Sequence, residues 1–233
     1  KLKIFDLQKK NHDAIINKKF EKIFRKKKFL SKLILPKKNE YKKIKHKINN
    51  NYLNLDINNE NMSFVYTFSK LLKIKKESFI SSMNSFKGLP HRFEIFLKKS
   101  DVTFINDSKA TSFKATEAAL SSLKNIYWIF GGLPKQKDKI KFSKFKNNVT
   151  KCYIIGKNIK FFRNQINGKF DFLVTRNLKN SLIQILKDSK FQKIANKNVL
   201  LSPAAASFDQ FKNFEERGEE FKRLSKIYAR KFI

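Results

Sequence analysis

The sequence predicts an α/β protein built on a mainly parallel sheet, and three observations carry that prediction. Short apolar runs recur through the second half of the chain, at Val102-Thr-Phe-Ile105, Ile126-Tyr-Trp-Ile-Phe130, Tyr153-Ile-Ile155, Phe172-Leu-Val174 and Val199-Leu-Leu201. Segments of helical spacing lie between or after them, at Thr116 to Leu123, Leu178 to Leu186 and Phe214 to Tyr228. Several of the runs stop at residues that turn the backbone: Gly131-Gly132, Gly156 and Ser202-Pro203. Strand–helix alternation of this kind is what parallel sheets covered by helices require, because a parallel neighbour is reached only through a crossover.

The first half reads differently. Lys3-Ile-Phe5, Asp13-Ala-Ile-Ile-Asn17 and Lys32-Leu-Ile-Leu35 are short strand candidates, the last stopped by Pro36, and a lysine-rich helix is predicted from Phe20. Residues 41–56 show no clear periodicity. Met62, Val65, Tyr66, Phe68, Leu71 and Leu72 recur at near-helical spacing, and Glu77 to Phe86 gives a further short helix. The change of pattern places a boundary at 87/88, with a partial domain at 1–87 and a whole one at 88–233.

The 233 residues hold 53 Lys+Arg against 19 Asp+Glu, a formal net charge of +34. Such a charge attracts any polyanion, nucleic acid included. The lysines are nevertheless scattered along the chain, and runs such as Arg25-Lys-Lys-Lys28 alternate with apolar residues, as solvated faces do. Lys, Asn, Ile and Phe are abundant while Gly and Pro are scarce, which A/T-rich codon usage also produces. Basic nucleic-acid binding is therefore the alternative rather than the leading expectation. The lone Cys152 precludes an internal disulfide, fits a reducing cytoplasm, and sits in an apolar run where a buried strand thiol is expected. No apolar stretch of about 20 residues predicts a membrane span, and no signal peptide is visible. The chain opens on Lys1 without an initiator Met, so it is expected to be part of a longer protein.

Four polar stretches lie at strand ends: Gly88-Leu-Pro-His-Arg-Phe-Glu94, Asn106-Asp-Ser-Lys-Ala-Thr111, Gly131-Gly-Leu-Pro-Lys135 and Ser202-Pro-Ala-Ala-Ala-Ser-Phe-Asp-Gln-Phe-Lys-Asn-Phe214. In α/β proteins such edges hold the chemistry. Asp107, Ser108, Lys109 and Thr111 bring a carboxylate, an ammonium and two hydroxyls before a helix, where an anion is favoured; an ordinary N-cap by Asp107 or Ser108 explains part of the cluster and not Lys109. The Gly131-Gly132 turn lets backbone approach a ligand, with Lys135 close behind, although most such turns are only tight loops. Ser207 and Phe214 flank an amide-rich segment suited to a small carboxylate. Arg92 could fork onto phosphate, or pair with Glu94. There is no phosphate-cradling Gly-x-x-x-x-Gly-Lys-Ser/Thr loop, and His12, His46 and His91 are too dispersed to predict a zinc site.

In order and residue type these stretches resemble the D-glutamate-adding Mur ligases, the UDP-N-acetylmuramoylalanine–D-glutamate ligases of peptidoglycan synthesis. The resemblance is strongest from Phe86 to Glu94, Ile105 to Leu120 and Leu200 to Phe221. It implies the tail of an α/β central ATPase domain over 1–87 and a Rossmann-like C-terminal, amino-acid-binding Mur ligase domain over 88–233. The UDP-binding domain and the P-loop would lie outside the chain. It implies ATP and Mg2+ as cofactors, UDP-N-acetylmuramoyl-L-alanine and D-glutamate as substrates, an acyl-phosphate intermediate, and a monomer in the cytoplasm. By resemblance Lys1 is the carbamylated lysine that helps hold magnesium and, with Lys109, serves catalysis. Asn58 and Asn61 contact the adenine side of ATP, with Ile57 replacing the family's histidine, and Arg92 and Asp107 complete the ATP site. Lys109, Thr111, Lys135, Ser207, Phe208 and Phe214 surround D-glutamate, Phe214 through its backbone N–H; Phe208 replaces the usual leucine and Ala205 a frequent cysteine. The chain alone is expected to hydrolyse no ATP. A non-catalytic relative is the other reading, disfavoured by the retained polar set.

Overall fold

The computed structural model describes residues 2–50, 52–140, 142, 145–192 and 194–233. Lys1, to which the resemblance gives a catalytic and metal-holding role, lies outside them. The chain divides into two compact units, Lys1–Lys87 and Gly88–Ile233.

In the first unit β1 (Asp13–Ile15) and β2 (Lys32–Ile34) form a two-stranded parallel sheet, linked through α1 (Glu21–Lys26). Ala14, Ile16 and Phe24 bury against Phe5 and Phe29. A second cluster gathers Tyr41 and Ile44 of α2 (Lys38–Lys45), Met62 of α3 (Asn59–Leu71) and Phe79 of α4 (Lys76–Ser85). Two expectations fail here. Lys3-Ile-Phe5, read as a strand, lies in a single 3-10 turn (Leu2–Phe5), because Ile4 is exposed and only Phe5 reaches a core. The segment without periodicity starts with α2, whose short apolar face is just Tyr41 and Ile44, three residues apart. The stripe read on α3 divides: Met62 is buried, while Val65, Phe68 and Leu72 remain exposed.

The second unit is a six-stranded sheet in the order β3-β4-β8-β5-β6-β7. The strands are β3 (Glu94–Lys99), β4 (Val102–Asn106), β5 (Ile126–Gly131), β6 (Val149–Ile155), β7 (Phe172–Arg176) and β8 (Lys197–Leu201). All pair in parallel except the edge hairpin β3/β4, so the expected mainly parallel α/β sheet is what forms. Sequence reading missed β3, whose Glu94-Ile-Phe-Leu-Lys-Lys99 alternates only in part because the strand bulges between Ile95 and Leu97.

Both faces are covered. One carries Phe104, Tyr127, Ile129, Tyr153, Val199 and Leu201 against α7 (Leu178–Phe191) and α8 (Phe214–Phe232). On the other, Trp128 stacks on Phe130 at 4.1 Å, and Phe130 meets Phe162 of α6 (Ile159–Ile166), which meets Phe113 of α5 (Phe113–Ser122). With both faces dry, β5 is buried at every position, which is why it reads as a continuous apolar run. Cys152 of β6 is a buried thiol whose pKa burial pushes well up, as a strand thiol rather than a nucleophile.

The strand order fixes where a ligand can sit. From β4 the chain crosses to β5, leaving a place between them that β8 later fills. The carboxyl ends of β4, β8 and β5 thus open at a topological switch point, the preferred crevice of open α/β sheets. Among the described residues no helix is long and apolar enough to cross a membrane.

Candidate functional site

Four loops meet at that edge: residues 88–93 before β3, 107–112 after β4, 131–135 after β5 and 202–213 after β8. Backbone bonds fasten them together. The Asp107 N–H donates to the Leu201 carbonyl at 2.8 Å and the Lys109 N–H to the His91 carbonyl at 3.0 Å. Gly131 N–H reaches the Pro203 carbonyl at 2.9 Å, and Leu133 and Ala206 exchange both bonds of a short antiparallel bridge. That bridge sets Lys135 and Ser207 on adjoining loops.

Asp107 is the centre of the first cluster. Its Oδ2 accepts from the Ser202 hydroxyl at 2.7 Å and its Oδ1 from the Phe93 N–H at 3.2 Å. Burial raises its pKa from 3.8 to about 7; the Ser202 and Phe93 bonds and the charge of Arg92 oppose the rise without cancelling it. Phe93 and His91 both hold positive φ, 49° and 61°, a strained conformation that the surrounding bonds must enforce.

His91 is enclosed by a polar network. The Asn106 amide faces His91 Nδ1 at 2.9 Å, Glu94 Oε2 at 3.1 Å and the Gly218 carbonyl at 3.4 Å. Because Asn106 Oδ1 already accepts the Ser108 N–H at 3.2 Å, its nitrogen is the donor toward the ring. His91 Nδ1 is therefore the acceptor and Nε2 carries the proton, 3.6 Å from Glu219. A Cβ at residue 218 would stand 2.2 Å from His91 Nδ1, so only glycine admits the ring against α8. Glu94 pairs with Lys222 at 2.9 Å and not with Arg92, which is exposed; the alternative of an Arg92–Glu94 bridge does not hold. Burial works against the Glu94 carboxylate, but the His91 N–H and Lys222 hold it below its usual range.

The helix after β4 begins at Phe113, three residues before the expected Thr116 but later than an N-cap at Asp107 or Ser108 would place it. Ser112, in extended conformation, caps α5 through the Ala115 N–H, and Asp138 accepts the Phe113 N–H at 2.8 Å. Asp107 and Ser108 are thus not N-caps: they, Lys109 and Thr111 occupy a loop ahead of the helix. Lys109 sends its ammonium to the face of the Phe214 ring, 3.5 Å from the centroid, a cation–π contact at the start of α8.

α8 starts with a capping box: Asn213 accepts the Glu216 N–H at 2.7 Å, and Glu216 accepts the Lys212 N–H at 2.7 Å. The Phe214 N–H, at the first helical position, keeps no intrahelical acceptor. Ser207 is buried, its carbonyl closing a turn to Gln210 and Phe211, while its hydroxyl has no hydrogen bond among the described residues. Neither Lys109 nor Lys135 has a carboxylate partner among them. Phe208 is 70% exposed at the rim.

Of the expected residues, Arg92, Asp107, Lys109, Thr111, Lys135, Ser207, Phe208 and Phe214 belong to these loops. Asn58 and Asn61 belong to the other unit. Asn58 is buried and donates to the Tyr52 carbonyl at 2.7 Å, and Asn61 is exposed on α3. Sequence reading missed Ser202, Asn106 and Arg217 as supports. Arg217 is 1% exposed, and only the motif around it, Asn213-Phe-Glu-Glu-Arg-Gly218, marked the place. A cleft of about 940 Å³ lies elsewhere, lined by Lys146, Lys151, Lys169 and Asp171 near the amino ends of β6 and β7; the polar convergence described above, not cavity size, marks the candidate site.

No protein-family model matches the chain. Among curated proteins, it is 40% identical over 172 residues to the UDP-N-acetylmuramoylalanine–D-glutamate ligase of Wolbachia pipientis wMel, covering 74% of this chain and 34% of that protein. It is 35% identical to the enzyme of the same name from Rickettsia conorii, again covering 74% and 34%. The chain thus spans about a third of the length of these relatives. Two solved structures share its fold. One is the MurF ligase from Thermotoga maritima in complex with ADP, with a TM-score of 0.51, 16% identity, and coverage of 73% of this chain and 38% of that one. The other is MurF from Acinetobacter baumannii, with a TM-score of 0.54, 11% identity and the same coverage.

Proposed function

We propose that this chain is part of a UDP-N-acetylmuramoylalanine–D-glutamate ligase and forms its amino-acid-receiving part, a reading supported by its similarity to the ligases of that name. Residues 88–233 are then its C-terminal domain and 1–87 the tail of its central domain. The observation that carries the reading is the set of uncommitted groups at one switch point. Among the described residues, two lysines without carboxylate partners, an unpaired hydroxyl on the buried Ser207 and an open N–H at the start of a long helix ask for an anionic ligand with more than one acceptor group. D-glutamate, with two carboxylates, meets that demand.

In this reading Lys109 and Lys135 neutralise carboxylate charge, Thr111 and Ser207 donate hydrogen bonds, and the Phe214 N–H adds the positive end of α8. Phe208 closes the rim. Together they hold the amine still for attack on an activated carboxyl group, a gain in orientation rather than in chemistry. ATP with magnesium would supply that activation in the whole enzyme, forming the acyl phosphate of UDP-N-acetylmuramoyl-L-alanine. The described residues do not by themselves fit those cofactors. The Asn58 amide is spent on Tyr52, and no group of three metal-ligating side chains occurs among them. Arg92 and Asp107 are the contribution of this unit to the nucleotide side.

The test is kinetic. In the whole ligase Lys135→Ala is expected to raise KM for D-glutamate by about 10- to 100-fold, the worth of one or two charge-assisted hydrogen bonds. KM for ATP should stay within about threefold. The 233-residue chain alone is expected to turn over no ATP. Equal effects on both substrates, or salt-sensitive binding of nucleic acid in place of D-glutamate, would count against the assignment.

A further inference from the structure

We propose that Arg217 is a positioning residue: a buried guanidinium that locks the Lys109 loop, the Ser207 loop and the first turn of α8 into one register. Its ligand-related consequence rests on the function proposed above; its mechanical role does not.

The side chain is enclosed at 1% exposure. Nε donates to Ser108 Oγ at 3.0 Å, and Nη2 donates to the Ser108 carbonyl at 2.8 Å and the Ala205 carbonyl at 3.1 Å. The Ser108 hydroxyl passes the link on by donating to the Phe214 carbonyl at 2.8 Å. One planar group thereby ties the residue before Lys109, the residue two before Ser207, and the residue whose ring receives the Lys109 ammonium. The remaining nitrogen, Nη1, is buried without a partner among the described residues. It lies at the Gly132 turn, 3.5 Å from where a Cβ would stand there.

Stability does not account for this arrangement. No carboxylate forms an ion pair with Arg217 among the described residues, and burial pushes its pKa down to about 10, so it remains charged at neutral pH. A buried charge matched only by two carbonyls and a hydroxyl, with both N–H donors of Nη1 unmet among the described residues, is a costly way to fill a core. What the guanidinium offers is a rigid fork whose donors point in fixed, coplanar directions. Lysine, a point charge with a rotating ammonium, cannot reproduce that span.

Amide hydrogen exchange on the 233-residue chain tests the role. In folded Arg217→Lys, residues 107–112, 132–135 and 203–213 are expected to exchange about tenfold faster, the factor set by one lost charge-assisted hydrogen bond. Amides of β5 and β8 should keep their rates. Unchanged exchange in those loops, or uniform acceleration across the sheet, overturns the proposal. Where Arg217→Lys does not fold, Ser108→Ala carries the test. It removes the hydroxyl between Arg217 and Phe214, and unchanged exchange over residues 211–216 then overturns the link. Titration with sodium D-glutamate separates the two readings. Wild-type chain that gains no protection sinks the ligand assignment while the exchange result still judges the brace. Wild-type protection with equal affinity in Arg217→Lys overturns the positioning role.

Discussion

Gly131→Ala is expected to destabilise the second unit by more than about 4 kcal/mol, a loss in the range reserved for backbone conflicts in a packed core. Gly131 ends β5 with φ 130°, where L-residues are strained. A Cβ there would stand 2.0 Å from the Ile155 carbonyl oxygen, 2.9 Å from its carbon and 3.0 Å from its nitrogen. All three are backbone atoms of the neighbouring strand, so no side chain can swing aside. Relief requires β5 and β6 to part at the Gly131–Ile155 pair, and parting moves the Leu133–Ala206 bridge that brings Lys135 beside the Ser207 loop. Gly168→Ala is the control. It also has positive φ, 70°, but nothing lies within 4 Å of its Cβ position, so a cost of about 1 kcal/mol is expected. Urea unfolding of the two variants measures the difference. Equal midpoints would mean that the strand end is not packed as described.

The contrast between those glycines also shows what was legible in the sequence. Gly131-Gly132 announced a turn because it followed a fully apolar run, and the parallel sheet followed from the repetition of such runs. Helix α2 and strand β3 were not legible, because α2 buries only Tyr41 and Ile44 and β3 buries no residue fully, too few to set a period. The polar residues of the site loops were legible as residue types in a fixed order. Their supports were not. Ser202 and Arg217 act across 95 and 109 residues of separation, and no local pattern encodes such a pairing. The N-cap was misplaced for a related reason: Asp107, Ser108 and Ser112 are all capping residue types, and only the extended backbone of Ser112 distinguishes it.

Asp107→Asn is expected to stabilise the protein above neutral pH while impairing the ligase. Asp107 titrates at about 7 in the folded state against 3.8 for an unperturbed carboxyl, with desolvation as the main cause. A folded pKa above the unfolded one means that the native state holds the proton more tightly. Its contribution to stability is therefore complete below pH 3.8 and is lost as pH rises through about 7. Three pH units of separation correspond to a loss on the order of 4 kcal/mol at alkaline pH. Asparagine imitates the neutral form: its oxygen can still accept the Phe93 N–H, and its amide can donate to Ser202 Oγ. The variant should thus match wild type near pH 4 and exceed it progressively from pH 5 to pH 8.5, as read by urea midpoints at each pH. Parallel profiles for the two proteins would show that Asp107 does not titrate as described. A substitution that stabilises marks the carboxylate as a group that costs stability and so serves another use. In the proposed function that use is the nucleotide side of the reaction, next to Arg92. Asp107→Asn in the whole ligase should consequently raise KM for ATP or lower kcat, with KM for D-glutamate little changed, the reverse of the pattern expected for Lys135→Ala.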